Sequence, residues 1–163
     1  MEKQELFRKI AQDIAEKGFD IAAQDDTRPW GGFFVIDEAQ APQFIRHFFP
    51  EINPAEVQGF AKLSPKILLV APHKRLSWQY HFRRAELWRV VEGPVGVVTS
   101  PNDVEGALQT LQTGDMIQLH QGERHRLVGL DHWGVIAEIW QHTEAGHPSD
   151  EHDIVRLQDD FGR

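Results

Sequence analysis

The chain contains no cysteine. That rules out disulfides, thiolate metal ligands and cysteine nucleophiles, leaves stability to packing, and makes a cytoplasmic location the default expectation. It has no apolar run long enough to cross a bilayer, and its start, Met1-Glu2-Lys3-Gln4-Glu5, is charged where a leader would be apolar. No membrane partner is expected. Positive charge is in deficit: 17 Lys and Arg face 25 Asp and Glu, a formal charge of −8. Binding to nucleic acid rests on cations that neutralise phosphates, so this balance argues against a nucleic-acid partner. It leaves room for a small phosphorylated ligand, because a few arginines converging in a pocket hold a phosphate on an otherwise acidic protein. Tyrosine occurs once, whereas histidine occurs nine times.

What is present suits one globular domain. At 163 residues, 40% hydrophobic and 26% charged, the chain is long enough to bury a core. Leu6, Ile10 and Ile14, flanked by Phe7 and Ala11, predict a helix over Lys3 to Lys17 with Gly18 as its stop. Its apolar stripe is narrow, so it packs on the outside of something larger, and it offers a surface for a homodimer. Thr27 to Asp37 reads as a turn and an aromatic strand, Ala41 to Phe49 as a short helix ended by Pro50, and Asn53-Pro54 as the cap of a further helical turn. From Lys66 onward, short apolar segments alternate with turn residues: Ile67 to Ala71, Leu87 to Glu92, Val95 to Thr99, Leu108 to Gln112, Met116 to His120, Arg126 to Leu130 and Val135 to Gln141. That spacing predicts a β-sandwich or barrel. Trp78, Trp88 and Trp140 read as core, and His132, His142, His147 and His152 as surface residues in polar surroundings.

The stretch that carries chemistry runs from Ser77 to Trp88. Gln79 and His81 stand two apart, and on a strand they share a face. Glu86 rejoins them if the chain turns at Phe82 to Ala85 and starts back as the next strand, so that the three converge inside a sheet. An amide oxygen, an imidazole and a carboxylate suit a borderline divalent cation such as Zn, Mn, Fe, Co or Ni. One nitrogen ligand is missing, and His125 is a candidate for it. The plainer alternatives are a hydrogen-bonded pair or a solvated face. Glu138 alternates with Ile136 and Trp140 on one face of an apolar strand. A buried carboxylate there acts as a base if its pKa is raised; otherwise it pairs structurally with an arginine.

These residues also match a known pattern. Gln79-x-His81, four residues, Glu86, six residues and Gly93 follow the first cupin motif, and Gly114, five residues, His120-x-Gly122, two residues and His125 follow the second. Within the cupins the chain resembles the type II phosphomannose isomerase domain. The resemblance is carried by Arg28-Pro29-Trp30-Gly31, by Arg75-Leu76-Ser77 with Gln79 and His81, by Arg84-Ala85-Glu86 and Trp88, by Gly122-x-x-His125, and by the tail Asp153-Ile154-Val155-Arg156 with Asp159-Asp160-Phe161-Gly162-Arg163. Glutamine in place of the first cupin histidine is typical of that family. The chain departs from the pattern at His73, Arg83, Leu87 and His120, and the segment Trp140 to Asp150 is longer than in the family.

The resemblance implies an all-β fold, a double-stranded β-helix or jelly-roll barrel, with residues 1–27 as an N-terminal helical extension and 28–163 as the cupin domain. It implies Gln79, His81, Glu86 and His125 as ligands of a divalent metal, zinc first, with Mn, Co, Ni or Fe as alternatives. Lys66, Arg75, Arg84 and Arg156 are implied anchors for a phosphate, and the base falls to Glu138. The implied activity is aldose–ketose isomerisation of a small phosphorylated sugar, mannose 6-phosphate to fructose 6-phosphate foremost. The departures keep open a cupin that binds metal and sugar phosphate without turnover, and two histidines with a glutamate are also what Fe(II) oxygenases use.

Overall fold

Leu6, Phe7, Ile10 and Ile14 wind into helix α1 (Lys3–Glu16), and all four side chains are buried. Gly18 ends it in the left-handed conformation that glycine takes without steric cost. This computed structural model describes residues 1–57, 62–144 and 146–163. Two antiparallel strands follow the helix, β1 (Ile21–Asp25) and β2 (Gly31–Ile36). The division expected between residues 27 and 28 lies in the connection between this pair. Helices α2 (Ala41–Phe48) and α3 (Pro54–Val57) come next. The remaining strands are β3 (Lys66–Val70), β4 (Trp78–Tyr80), β5 (Arg84–Glu92), β6 (Val95–Ser100), β7 (Leu108–Leu111), β8 (Met116–Leu119), β9 (Arg124–Val128), β10 (Gly134–His142) and β11 (Val155–Gln158).

They form two antiparallel sheets, the all-β sandwich that the spacing predicted. One has six strands in the order β1-β2-β3-β10-β5-β8, the other five in the order β11-β4-β9-β6-β7. The six-stranded sheet is covered on both faces. Ile67, Leu69, Val135, Ala137 and Ile139 pack on one face with Leu6, Phe7, Ile10, Phe44 and Phe49 from the helical region. Their neighbours Leu68, Val70 and Ile136 turn the other way and meet Val95, Val97 and Leu127 of the five-stranded sheet. Double burial explains why β3 and β10 read as nearly continuous apolar runs. It also places Glu138, which alternates with its buried neighbours on β10, in the space between the sheets. Among the described residues no helix is long and apolar enough to cross a membrane.

One tight place fixes the packing of β2 on β3. Gly31 has φ 148°, and a Cβ built there lies 1.9 Å from Leu69 O on the paired strand. Gly31→Ala is expected to destabilise the protein by about 3 kcal/mol in urea unfolding, because the backbone of β3 has to move to admit the methyl. His142 corrects the sequence reading, which put it on the surface. It is buried at the end of β10, where the following segment folds back and Ser149 N–H donates to its Nδ1 (2.8 Å).

Candidate metal centre

Strand β4 carries Gln79 and delivers His81 just beyond its end; β9 carries His125 directly opposite Gln79. Glu86 comes from β5, in the other sheet. Here the structure corrects the sequence reading: His81 and Glu86 meet between two sheets, not inside one. The turn after β4 takes the chain across the gap. Asp153 holds it there, its carboxylate accepting from Phe82 N–H and Arg83 N–H (2.9 Å each) and from Ser149 Oγ–H (2.6 Å).

One ligand atom from each of His81, Glu86 and His125 lies within 4.8 Å of the others, and all three side chains are only 2–3% exposed. The hydrogen bonds settle which ring nitrogens are free. His81 Nδ1 is 2.7 Å from Asp153 O, and His125 Nδ1 is 3.0 Å from Glu123 O. A carbonyl oxygen can only accept, so each Nδ1 carries a proton, and a ring in its neutral form keeps its lone pair on Nε2. Both lone pairs face the same carboxylate: His81 Nε2 is 3.7 Å from Glu86 Oε2, and His125 Nε2 is 3.2 Å from Glu86 Oε1. Glu86 Oε1 and His125 Nε2 are buried without a hydrogen-bond partner. Burial drives the His81 pKa down to about 4, overriding the pull of Glu86 in the other direction. Burial opposes the charge on Glu86, but Arg84, His81 and His125 together outweigh it and hold the carboxyl well below its usual range. In this dry space the Arg84 guanidinium answers Glu86 Oε2 and His81 Nε2, but Glu86 Oε1 and His125 Nε2 face each other with no hydrogen-bond partner. The donor set therefore fits a divalent metal. Gln79 lines the same cavity, its Oε1 accepting from Ser77 Oγ–H (2.6 Å).

The other candidates divide. Arg84 is buried against the candidate ligand atoms: Nε donates to Glu86 Oε2 (2.9 Å), Nη2 lies 3.3 Å from His81 Nε2, and Nη1 donates to Ser149 Oγ and Asp150 O (3.0 Å each). Its guanidinium stacks 3.6 Å over the Trp140 ring, and Lys66 Nζ lies 3.6 Å from the same ring. Glu138 is clasped by two indoles, Oε2 accepting from Trp88 Nε1–H (2.7 Å) and Oε1 from Trp140 Nε1–H (2.9 Å). Burial first, then the charge on Glu86, raises its pKa to about 7, against the attraction of Lys66 and Arg84. The structural arginine partner allowed for Glu138 is not seen among the described residues. Lys66, Arg84 and Arg156 all line the cavity. Arg75 does not; it makes a two-pronged pair with Asp160 (2.7 and 2.9 Å). Two further cations line the cavity, Arg28 and Arg163. Both belong to stretches that carry the resemblance, but nothing local in the sequence assigns either a charge role.

Asp153 ties this region together, since its backbone oxygen also orients His81. Burial opposes its charge, yet the hydrogen bonds from Ser149, Phe82 and Arg83 prevail and lower its pKa. Asp153→Ala, which leaves those donors unpaired, is expected to cost about 3 kcal/mol in urea unfolding. A depressed folded pKa stabilises above the unfolded value of 3.8. In the parent protein this contribution should therefore fade as pH falls below that value, and be missing from the variant throughout.

A family model described as mannose-6-phosphate isomerase C-terminal matches residues 21–159. The mannose-1-phosphate guanylyltransferase of Salmonella montevideo is 27% identical over 143 residues, 88% of this chain and 24% of that protein. The mannose-1-phosphate guanylyltransferase of Escherichia coli K12 is 28% identical over 136 residues, 83% of this chain and 22% of that protein. The chain thus spans about a quarter of the length of the curated relatives it matches. Among solved structures, CapF superposes with a TM-score of 0.56 at 13% identity, over 83% of this chain and 34% of that one. KdgF from Halomonas sp. gives 0.51 at 13%, over 76% and 89%. A Cupin 2 conserved barrel domain protein from Salinispora arenicola gives 0.42 at 24%, over 48% and 61%.

Proposed function

The chain belongs to the mannose-6-phosphate isomerase C-terminal family, in the cupin superfamily, and from that membership we propose that it is a metal-dependent aldose–ketose isomerase of phosphorylated sugars. The leading reaction is mannose 6-phosphate to fructose 6-phosphate. The observation that carries this reading is the buried group of His81, Glu86 and His125 with its Nε2 lone pairs turned on one carboxylate, beside a second carboxylate, Glu138, whose pKa is raised to about 7. The mannose-1-phosphate guanylyltransferases that match the chain supply a mannose phosphate as the substrate class; their nucleotidyl transfer is not carried over.

The isomerisation moves a proton between C1 and C2 of the sugar through an enediol. His81, Glu86 and His125 would hold the ion, with Gln79 turning its amide oxygen from Ser77 to complete the set. Bound there, a divalent ion supplies the Lewis acidity that polarises the carbonyl and the neighbouring hydroxyl. Zinc is the first choice, with Mn, Co, Ni or Fe as alternatives. Glu138 takes the proton from one carbon and returns it to the other; a pKa near 7 keeps both of its forms populated at neutral pH. Trp88 and Trp140 keep its oxygens oriented for that exchange. Lys66, Arg28, Arg156 and Arg163 receive the phosphate at the open end of the cavity. Arg84, which stacks on Trp140 and donates to Glu86, acts on the metal ligands and not on the phosphate.

The test is turnover of mannose 6-phosphate and other hexose and heptose phosphates by protein loaded with each metal in turn. Binding of metal with no turnover of any of them would overturn the reading. A second reading, metal and sugar-phosphate binding without turnover, is favoured by the hold of Arg84 on Glu86 and His81. Exchange of solvent protons into C1 or C2 of the bound sugar, followed by NMR, separates the two, since a passive binder exchanges neither.

A further inference from the structure

The carboxylates that line the cavity differ in their surroundings. Glu86 and Glu138 are buried, whereas Glu151 reaches in from the segment that follows β10. Its Oε1 is 2.8 Å from Lys66 Nζ, and the two side chains are unequally placed: Lys66 is 8% exposed and Glu151 72%. The lysine is fixed, its ammonium pinned against the face of Trp140. The glutamate is not: its neighbour Asp150 is anchored by Arg84 through its backbone oxygen, but the Glu151 carboxylate itself has Lys66 as its hydrogen-bond partner and water around it. Burial opposes the Glu151 charge, yet Lys66, reinforced by Arg84 and Arg28, keeps the carboxyl below its usual range. The carboxylate therefore sits where the positive charge of the cavity converges. Arg156 stands nearby; burial first and Arg163 next weigh against its charge, while Asp159 and Glu151 favour it.

We propose that Glu151 is an internal competitor for the phosphate subsite: its carboxylate holds the place on Lys66 that a phosphomonoester dianion takes, and swings into water when such a ligand enters. This deepens the sugar-phosphate reading and rests on it. A competitor carried on the same chain reduces the apparent affinity of every anion by the fraction of time it is in place. A doubly charged phosphate facing Lys66, Arg28, Arg156 and Arg163 displaces it; a singly charged group gains too little from the same cations, and a neutral sugar gains nothing. Glu151 thereby weakens the binding of phosphorylated substrates and products alike, while a free sugar, which does not contest Lys66, is unaffected.

Calorimetric titration with inorganic phosphate at pH 8, where the dianion dominates, tests this without any turnover. Glu151→Ala is expected to bind phosphate about fivefold more tightly than the parent protein, the scale of one exposed ion pair, with glucose binding unchanged. In a Lys66→Met background the same substitution should have no effect on phosphate affinity, because the contested position is gone. Glu151 is exposed, so melting temperature should show the variant folded. Unchanged or weaker phosphate binding in Glu151→Ala would overturn the proposal, as would a gain of full size in the Lys66→Met background. An inactive protein that still shows the Glu151 effect would remove the isomerase reading and leave this one; an active isomerase without the effect would do the reverse.

Discussion

His125→Ala is expected to lose its metal. His81 and His125 are the two nitrogen donors of the group, and His125 alone comes from β9. Removing it leaves one imidazole, one carboxylate and an amide, and water replaces the lost nitrogen poorly. Affinity should fall by well over the roughly 10–100-fold that a supporting residue costs. Two readouts avoid any assay of activity. The first is metal content after dialysis. The second is melting temperature: a metal that binds only the folded chain stabilises it by about 4 kcal/mol at a thousand times its Kd, and this gain should disappear in the variant. The metal-free variant should still fold, although the buried ring it lacks packs edge-on against Trp88 (5.7 Å) and its loss costs about 2 kcal/mol. His120→Ala is the control. His120 is exposed at the end of β8, and its removal should change neither readout. Full metal occupancy in His125→Ala would mean the site is wrongly drawn.

Glu138→Gln should cost the most in rate, by about 100- to 10,000-fold, the usual contribution of a positioned acid–base group. Its effect on stability has an unusual sign. In the metal-free protein the Glu138 pKa rises from 4.5 unfolded to about 7 folded. The folded state holds the proton more tightly, so the contribution is complete below pH 4.5 and lost as pH climbs through 7. At most it amounts to about 3 kcal/mol. Glutamine does not ionise and escapes this loss. It also offers one oxygen to two indole donors, where the carboxylate offers two, and forfeits about 1 kcal/mol for the bond it cannot make. The variant should therefore be less stable than the parent at pH 5 and draw level with it or overtake it by pH 8.5. Parallel stability curves for the two proteins would show that Glu138 is not titrating in this range.

What the sequence disclosed, and what it hid, follows the range of the interactions involved. The face that Glu138 occupies is legible in the sequence because a period of two on β10 is a local property: Ile136, Glu138 and Trp140 have to share it. The spacing of the short strands after Lys66 likewise predicted the sandwich. Strands β1 and β11 escaped notice because they are short and largely exposed, so they carry little of the alternation that marks a half-buried strand. The turn after His81 points across to the second sheet because of Asp153, about seventy residues on, and no local signal encodes that. Arg75 looked like a phosphate anchor by its position in the pattern, whereas Asp160, eighty-five residues away, occupies it. Arg28 and Arg163 reach the cavity from opposite ends of the described fold, a meeting that only the closed structure reveals. His142 was read as exposed for the same reason: the neighbour that covers it, Ser149, lies beyond a turn.

The way the cavity is assembled from both ends of the chain has a consequence in time. Ribosomes deliver a protein from its N-terminus onward. When Gln79, His81 and Glu86 have emerged, the strand bearing His125 does not yet exist, and the carbonyl of Asp153 that fixes the His81 tautomer comes later still. Lys66 waits eighty-five residues for Glu151, and Arg28 still longer for Arg163. A growing chain therefore displays scattered histidines and carboxylates, never the constellation. The constellation closes only once the chain has emerged as far as Gln158 and β11 can pair with β4. Fragments released early from the ribosome should accordingly be chemically silent.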